Sequence, residues 1–359
     1  MSLFRYESLE NNYKLASKIY DRYLTRLPSL QNEYSDAQKR SMYNDIIYNL
    51  EHLQAAIKLQ DGKIFEDYAL WLFQLLCHFI KNIDENILKE QMIVHYEIIE
   101  EVLKEDLSDE SYQLAKKYLE RAVEFTKSSI KEQESISTLT IDEYIDIKRK
   151  YLFALLDNKR NEAYEIIHKA IEAGISIEDI YQKILREVMV EVGYLWQKNI
   201  ISVDKEHYCT AVTQTVLVNF YSQIFDKPKK AYKVLTTAVG SELHEMGIRM
   251  ISDIFENHGW ESIYLGAAVP IESILHAIKE HQPDIVALSV TLPTHLPLCK
   301  EIVEEVRGKF QDIQIIVGGR AFKTTERIWE KWEIDFYTED LYQLIEWAQV
   351  NVEKRDVGL

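Results

Sequence analysis

Glu242 and His244 are the side chains whose types and spacing point most directly to chemistry. They follow an apolar run at 234–239 that a Gly-Ser pair breaks, and Gly247 then opens an amphipathic segment. These patterns predict a buried strand, a loop and a helix. Open α/β sheets bind ligands at the carboxyl ends of their strands, so the loop would display the imidazole at a ligand site. Glu242 could accept a hydrogen bond from the ring nitrogen that faces away from the ligand, which would make the other nitrogen a stronger metal ligand.

Further strand ends carry small or hydroxylated residues. Strands are predicted at 262–265, 284–290 and 313–317, with a weakly marked fifth near 334–337. Their carboxyl ends lie on the edge of the sheet that carries His244, and they bear Gly266, Ser289, Thr291, Gly318 and Gly319. Alone, Glu-x-His-x-x-Gly is better explained by a helix-capping loop with a solvated histidine. Together the signals indicate a ligand site.

This combination resembles the B12 (corrinoid)-binding domain family, whose pattern is Asp-x-His-x-x-Gly, then Ser-x-Leu or Ser-x-Thr, then Gly-Gly. The resemblance covers roughly residues 233–352. It implies that His244 is the lower axial ligand of cobalt and that Glu242, in place of the usual Asp, is its partner. It also implies a slot for the nucleotide tail of the cofactor, lined by Ser289 and Thr291 and opened by the close backbone approach that glycine permits at Gly318 and Gly319. Gly247 and Gly266 are expected to border the same cofactor.

A second cluster lies upstream in a helical block. Helices are predicted at 141–156, 162–173, 177–197 and 203–225, which is the layout of a four-helix cap bundle. A tight turn between the last two helices brings an indole, a carboxylate and an imidazole to one end of the bundle, with the residues Trp196, Val203, Glu206 and His207. Taken alone, this cluster is better explained by a core Trp and a Glu that a helix N-terminus favours.

The spacing Trp-x9-Glu-His resembles the signature of B12-dependent photoreceptors similar to the CarH light-responsive repressors. The resemblance implies adenosylcobalamin as the cofactor, with Trp196 packed on its adenosyl group and Glu206 and His207 at the same pocket. In that family a histidine follows the Trp and captures cobalt after photolysis, whereas this chain has Gln197. An amide is a poor cobalt ligand, so a bis-imidazole photoproduct would need another residue, and His207 could substitute.

Residues 1–134 predict a compact all-α domain of a kind that includes globin-like folds, with 64–80 as its central buried helix. His78 and His95 lie on apolar helices and are better explained as core residues than as tetrapyrrole ligands, and Cys77 is better explained as buried than as a chromophore tether. A helical domain fused to a B12 module also resembles the photocobilins, in which a bilin such as biliverdin lies near the cobalamin. The residues that could pair with bilin propionates are Arg22 and Arg26.

Composition argues against several classes of function. The formal charge is −17, the isoelectric point is near 5.1 and no basic patch is visible, which argues against nucleic acid binding. The three cysteines form no Cys-x-x-Cys pair, so neither a disulfide framework nor a zinc site is expected at Cys77, Cys209 or Cys299. There is no signal-peptide core, and no apolar run approaches the length of a membrane span. We expect a cytoplasmic protein that binds neither nucleic acid nor membrane.

The sequence therefore predicts a multidomain α plus α/β protein. Its expected parts are a helical sensor domain at 1–134, a four-helix cap at 139–226 and an α/β cobalamin-binding domain at 231–355 with a doubly wound, Rossmann-like parallel sheet of five strands and a closing helix at 341–352. The predicted function is a light sensor and not an enzyme: loss of the adenosyl group would shift the cap and change a homo-oligomer, such as a dimer, or the binding of a signalling partner.

Two alternatives stay open. The first is a corrinoid methyl carrier for a methyltransferase, and the second is a cobalamin-level sensor that acts through a protein partner. Methyl transfer needs an open upper face, whereas a bulky Trp beside a Glu-His pair suits an adenosyl group. A helical domain before the cap is also unexpected in a simple carrier.

Overall fold

The computed structural model describes residues 3–28, 35–80, 83–132, 137–224 and 226–353. The chain divides into two compact units. The first comprises Met1–Glu132, Leu292–Pro297 and Ala321–Ile328, and the second comprises Gln133–Thr291, Leu298–Arg320 and Trp329–Leu359. The predicted domain ends at 134 and 355 and the predicted helix end at Phe225 lie outside the described residues. The division into three parts stays a prediction.

The main part of the first unit is helical. Its helices are α1 (Leu3–Arg26), α2 (Asp36–Leu59), α3 (Lys63–Phe79), α4 (Glu85–Asp106) and α5 (Asp109–Ser128). Ser35, Asp84 and Ser108 cap α2, α4 and α5 by accepting backbone N–H groups of the first turn. α3 buries the polar residues Glu66 and Gln74 along with its large apolar side chains, as expected of a central helix. Within the described ranges, no helix combines the length and apolar character needed to cross a lipid bilayer.

The second unit begins with the cap. Its helices are α6 (Ile145–Leu156), α7 (Arg160–Glu172), α8 (Arg186–Gln197), α9 (Val203–Val218) and the short α10 (Tyr221–Ile224). α8 continues from Ile177–Asp179 through a π-helical segment, Ile180–Leu185.

Two cap helices differ from their predicted bounds. α6 begins at 145 and not at 141, because the Asp142 carboxylate accepts the N–H of Tyr144 at 2.9 Å and turns the chain there. α9 ends at 218 and not at 225, where the amide of Asn219 donates to the carbonyl of Thr215 at 3.0 Å. In both places a short polar side chain binds the backbone and competes with the helix.

The remainder of the second unit is a five-stranded parallel sheet with helices between its strands. The strands are β1 (Lys233–Ala238), β2 (Glu261–Gly266), β3 (Ile285–Ser289), β4 (Gln314–Gly318) and β5 (Phe336–Tyr337). The helices are α11 (Met246–Asn257), α12 (Ile271–His281), α13 (Leu296–Lys309) and α14 (Leu341–Ala348), the last continued by the π-helical Gln349–Glu353. The predicted α plus α/β fold with a Rossmann-like sheet is confirmed.

The strand order is β2-β1-β3-β4-β5, so the sheet reverses its direction of growth between β1 and β3. At such a switch point the flanking loops diverge and leave a crevice at the carboxyl ends of the strands. Cap and sheet share one hydrophobic core, which includes Val188 of the cap and Val234 and Ile285 of the sheet. The Tyr181 hydroxyl also donates to the Asp253 carboxylate of α11 at 3.1 Å.

Candidate cofactor site

Backbone hydrogen bonds bring the ends of three strands together around the switch point. The N–H of Val239 donates to the carbonyl of Ser289, and the N–H of Val290 donates to the carbonyl of Gly318, each at 2.9 Å. The ladder thus continues one residue past each strand. β1 then turns at Gly240, which has a φ of 88°, and the loop that carries His244 follows at the carboxyl end of this strand.

Glu242 links that loop to the neighbouring strand end. Its carboxylate Oε1 accepts the backbone N–H of Thr291 at 2.9 Å, and its Oε2 lies 3.6 Å from Nδ1 of His244. The Glu242 side chain is fully buried, whereas 59% of the His244 side chain is exposed. The structure thus brings Glu242, His244 and Thr291 together, with Nδ1 of the imidazole toward the protein. Nε2 is then the nitrogen available to a ligand.

The electrostatic surroundings of His244 raise the pKa of its imidazole above the ordinary value. The largest cause is the Glu242 carboxylate, which favours the charged ring, and burial opposes it. The Glu206 carboxylate of the cap also raises this pKa, and the Arg320 guanidinium lowers it. The Glu206 carboxylate of the cap therefore lies within electrostatic range of the imidazole at the sheet edge.

The upper cluster lies at the turn between α8 and α9. Trp196 is half-buried in the last turn of α8, and Val203 is exposed at the start of α9. The Glu206 carboxylate lies 2.6 Å from Nδ1 of His207 and also accepts the Thr210 hydroxyl at 3.1 Å. The cap thus carries a second imidazole–carboxylate pair. The Glu206 carboxylate of this pair is the one that also raises the pKa of the His244 imidazole.

Two of the predicted glycines have a steric reason within the chain itself. Gly319 has a φ of 102°, and a Cβ there would lie 2.3 Å from the carbonyl oxygen of Val290. A Cβ at Gly318 would lie 2.6 Å from the carbonyl oxygen of Thr338. Close packing of strand ends explains both residues. Their predicted role beside the cofactor tail stays a prediction, as does that of Ser289, the half-buried last residue of β3.

The other two glycines differ from each other. Gly266 has a φ of 76°, and a Cβ there would lie 3.2 Å from the Glu245 carboxylate. Gly247, in the first turn of α11, has no heavy atom within 4 Å of where its Cβ would stand. The helix behind His244 therefore begins beside open space.

These residues fit a cofactor that brings its own metal. No cluster of three or more His, Cys, Asp or Glu suited to a metal ion occurs in the described part of the chain. A metal at His244 would therefore need its other ligands from a cofactor. Leu243 and Val203 leave 86% and 53% of their surface exposed next to the two imidazoles, which suits a large apolar ring.

The candidate residues of the first unit have core or surface roles. Nδ1 of buried His78 lies 2.7 Å from the carbonyl of Gln74, and Cys77 is buried. His95 lies against the rings of Tyr23 and Tyr96, and burial lowers the pKa of its imidazole to about 4.

The suggestion that arginines of α1 hold bilin propionates stays a prediction, and both arginines have acidic partners within the chain. Arg22 lies 3.1 Å from the carboxylate of Glu105, and Arg26 lies 2.9 Å from that of Glu97. Both also approach Glu101 of the same helix, α4. Their charges are matched by an acidic row on the neighbouring helix.

Sequence reasoning missed Arg320. This residue directly follows Gly319 at the end of β4, is exposed, and lies near enough to His244 to lower the pKa of the imidazole. A basic residue directly after a Gly-Gly pair at a strand end was the available signal.

Comparison with known proteins finds two family models that match parts of this chain. Residues 232–342 match a family model described as B12 binding domain, and residues 147–218 match a second model of that description. Dimethylamine corrinoid protein 3 of Methanosarcina acetivorans is 23% identical over 195 residues, 54% of this chain and 90% of that protein. Methionine synthase of Mycobacterium tuberculosis is 31% identical over 98 residues, 27% of this chain and 8% of that protein.

A solved structure shares the fold. The monomethylamine corrinoid protein of Methanosarcina barkeri superposes with a TM-score of 0.51 at 18% identity, over 59% of this chain and 99% of that chain. The two family-model matches fall on the cap and on the α/β domain, the two parts that carry the candidate residues. Residues 147–218 and 232–342 of this chain therefore make up a cobalamin-binding module, a helical cap followed by a Rossmann-like α/β domain.

Proposed function

We propose that the chain is a corrinoid carrier, which holds cobalamin through His244 and presents the upper face of the cofactor to a partner protein. The arrangement of His244, Glu242 and Thr291 across the switch point carries this proposal. Bound cobalamin supplies a cobalt–carbon bond that can be broken at the upper face. The chain supplies an imidazole that Glu242 keeps basic and oriented, and it is a carrier and not an enzyme.

As our first candidate, we propose that the group carried on cobalt is methyl and that the partner protein is a methyltransferase. Proteins named as a dimethylamine corrinoid protein and a monomethylamine corrinoid protein match 54% and 59% of this chain. They support the methyl-carrier alternative over the light sensor that the Trp-x9-Glu-His spacing predicts.

The second candidate is the light sensor with adenosylcobalamin, acting through an oligomer or a signalling partner. The observation that favours it is the Glu206–His207 pair on the cap, 2.6 Å apart, whose carboxylate also raises the pKa of His244. Biliverdin as a second chromophore belongs to this candidate only. A cobalamin-level sensor would use the same site without photochemistry.

His244→Ala tests the site that all candidates share. The parent protein loaded with hydroxocobalamin should show the absorption spectrum of imidazole-ligated cobalt. The variant should lose that spectrum and bind cobalamin at least ~10-fold more weakly, because the metal loses a ligand. His276→Ala, which alters an exposed histidine of α12, is the matched control and should behave like the parent. A His244→Ala protein with the parent's spectrum and affinity would sink the proposal.

Light separates the two candidates. A methyl carrier should bind methylcobalamin at least as tightly as adenosylcobalamin, and green light should leave the elution volume of its adenosylcobalamin complex unchanged. A light-dependent shift in elution volume would reject the methyl carrier in favour of the sensor. A change in elution volume when cobalamin binds in the dark, whichever upper group the cobalamin carries, would indicate the cobalamin-level sensor.

A further inference from the structure

Gly193 is a helical glycine that the packing of the chain does not require. It lies inside α8, and glycine is the least favourable residue for a helix interior apart from proline. A Cβ at this position would meet no heavy atom within 4 Å, and the backbone has no positive φ. Any small side chain would therefore fit the protein as it stands.

The direction that Gly193 faces follows from its neighbours on α8. Arg186 lies two helical turns earlier on the same line of the helix, and its guanidinium Nη2 lies 3.7 Å from the carboxylate of Glu339, just after β5. Met189, one turn earlier, contacts α9 through its sulfur, 3.3 Å from the Thr213 hydroxyl. Gly193 therefore faces between α9 and the carboxyl edge of the sheet.

The same position lies level with the upper cluster. α8 and α9 contact each other and run in opposite directions from the turn around Ile200. Gly193 is seven residues before Ile200 and His207 is seven residues after it, so the two residues lie at the same level of the helix pair. Trp196 and Gln197 follow at the spacings that share a helix face with Gly193. The missing side chain therefore leaves open space on the helix face that carries the indole.

We propose that Gly193 is the place where the backbone of α8 borders the upper face of a bound corrinoid, and that its missing side chain sets the size limit for the group on cobalt. This inference rests on the proposed corrinoid site and extends it to the specificity for the upper group. A side chain at 193 occupies space that this group needs. The loss of affinity therefore grows with the size of the group.

The experiment combines two variants with three ligands. Dissociation constants of hydroxo-, methyl- and adenosylcobalamin are measured by absorption titration for the parent, Gly193→Ala and Gly193→Leu. We expect Gly193→Ala to leave hydroxocobalamin binding unchanged and to weaken adenosylcobalamin about 10-fold, the effect of one carbon too many in a pocket. Gly193→Leu should weaken methylcobalamin about 10-fold and adenosylcobalamin by more than about 100-fold.

Gly308→Ala is the matched control. Gly308 is also helical, in α13, and also has no heavy atom within 4 Å of a Cβ. Its substitution should change none of the three constants. Thermal melting of Gly193→Ala should show a midpoint at or above that of the parent, because alanine favours the helix, so weaker binding cannot be ascribed to unfolding.

Two results would overturn the inference: Gly193→Leu binding adenosylcobalamin like the parent, or an equal loss for all three ligands. If the parent binds all three cobalamins but the Gly193 variants do not distinguish among them, only this inference is rejected. A parent that binds no corrinoid rejects the proposed function as well.

Discussion

At the scale of single residues, the Glu242 carboxylate makes two contacts, one with the backbone of Thr291 and one with the imidazole of His244. A fully buried carboxylate needs hydrogen-bond or charge partners to offset its lost hydration, and Glu242 has the Thr291 N–H on one oxygen and the His244 imidazole near the other. The first contact holds the carboxylate at the edge of the switch point. The second raises the pKa of the imidazole.

Glu242→Gln should therefore lower the pKa of His244 in the cofactor-free protein. The amide can still accept the Thr291 N–H, so the loop is retained, but the charge that favours the imidazolium is gone. In the parent, the charge pair contributes stability at low pH that is lost as the pH rises through the raised pKa, and the variant should lack this contribution. NMR titration of the histidine ring signals checks the shift, with exposed His276 as an internal reference. An unchanged midpoint for His244 would contradict the assignment.

At the scale of elements, a buried lysine fixes the segment that precedes α6. The Lys148 side chain has no exposed surface, and its ammonium lies 2.9 Å from Asp142, 2.6 Å from Glu187 of α8 and 3.0 Å from the carbonyl of Thr140. The residues before α6 are thus held against the helix that carries Gly193 and Trp196. This network depends on α8, so the pattern of 141–156 alone could not reveal it.

Lys148→Ala should lower the free energy of unfolding by about 3 kcal/mol, because removal of one partner leaves two carboxylates without their cation. Urea unfolding followed by circular dichroism measures the loss. Lys159→Ala is the control: its ion pairs with Asp157 and Glu162 are more than half exposed, and such pairs contribute about 0–1 kcal/mol. Similar small losses in both variants would show that the Lys148 network does not stabilise the cap.

At the scale of the whole molecule, the first unit contains two segments that follow strand ends of the sheet. Leu292–Pro297 comes directly after Thr291, and Ala321–Ile328 comes directly after Arg320. Within this unit, the buried Asp61 carboxylate accepts the N–H of Glu326 at 2.7 Å, and the Lys63 ammonium donates to the carbonyl of Lys323 at 2.9 Å. The helices therefore hold the segment 321–328 by its backbone.

Asp61→Ala should release that segment. The N–H of Glu326 loses a charged acceptor, and a hydrogen bond to a charged group contributes about 1.5–3 kcal/mol. Hydrogen exchange by mass spectrometry should show faster exchange in 321–328 and unchanged exchange in the cap helices 145–218. Asp67→Ala, which removes a partly exposed partner of Lys63, should leave 321–328 protected. Parent-like exchange in Asp61→Ala would show that the contact does not hold the segment.

The sequence by itself determined the class of fold, the strands and the loop that displays His244. Apolar runs, turn glycines and helix caps act over a few neighbouring residues, so β1, β3 and β4 are predicted to within one or two residues of their observed bounds. The spacing of Glu242, His244 and Gly247 is local for the same reason.

Contacts between residues distant in the chain were decided by the tertiary structure alone. The strand order, the bond from Thr291 to Glu242, the action of Glu206 on His244 and the packing of Gly319 against Val290 each join segments far apart in sequence. Only folding brings their atoms within reach, and the energies of such contacts depend on distance and burial, which no stretch of sequence encodes by itself.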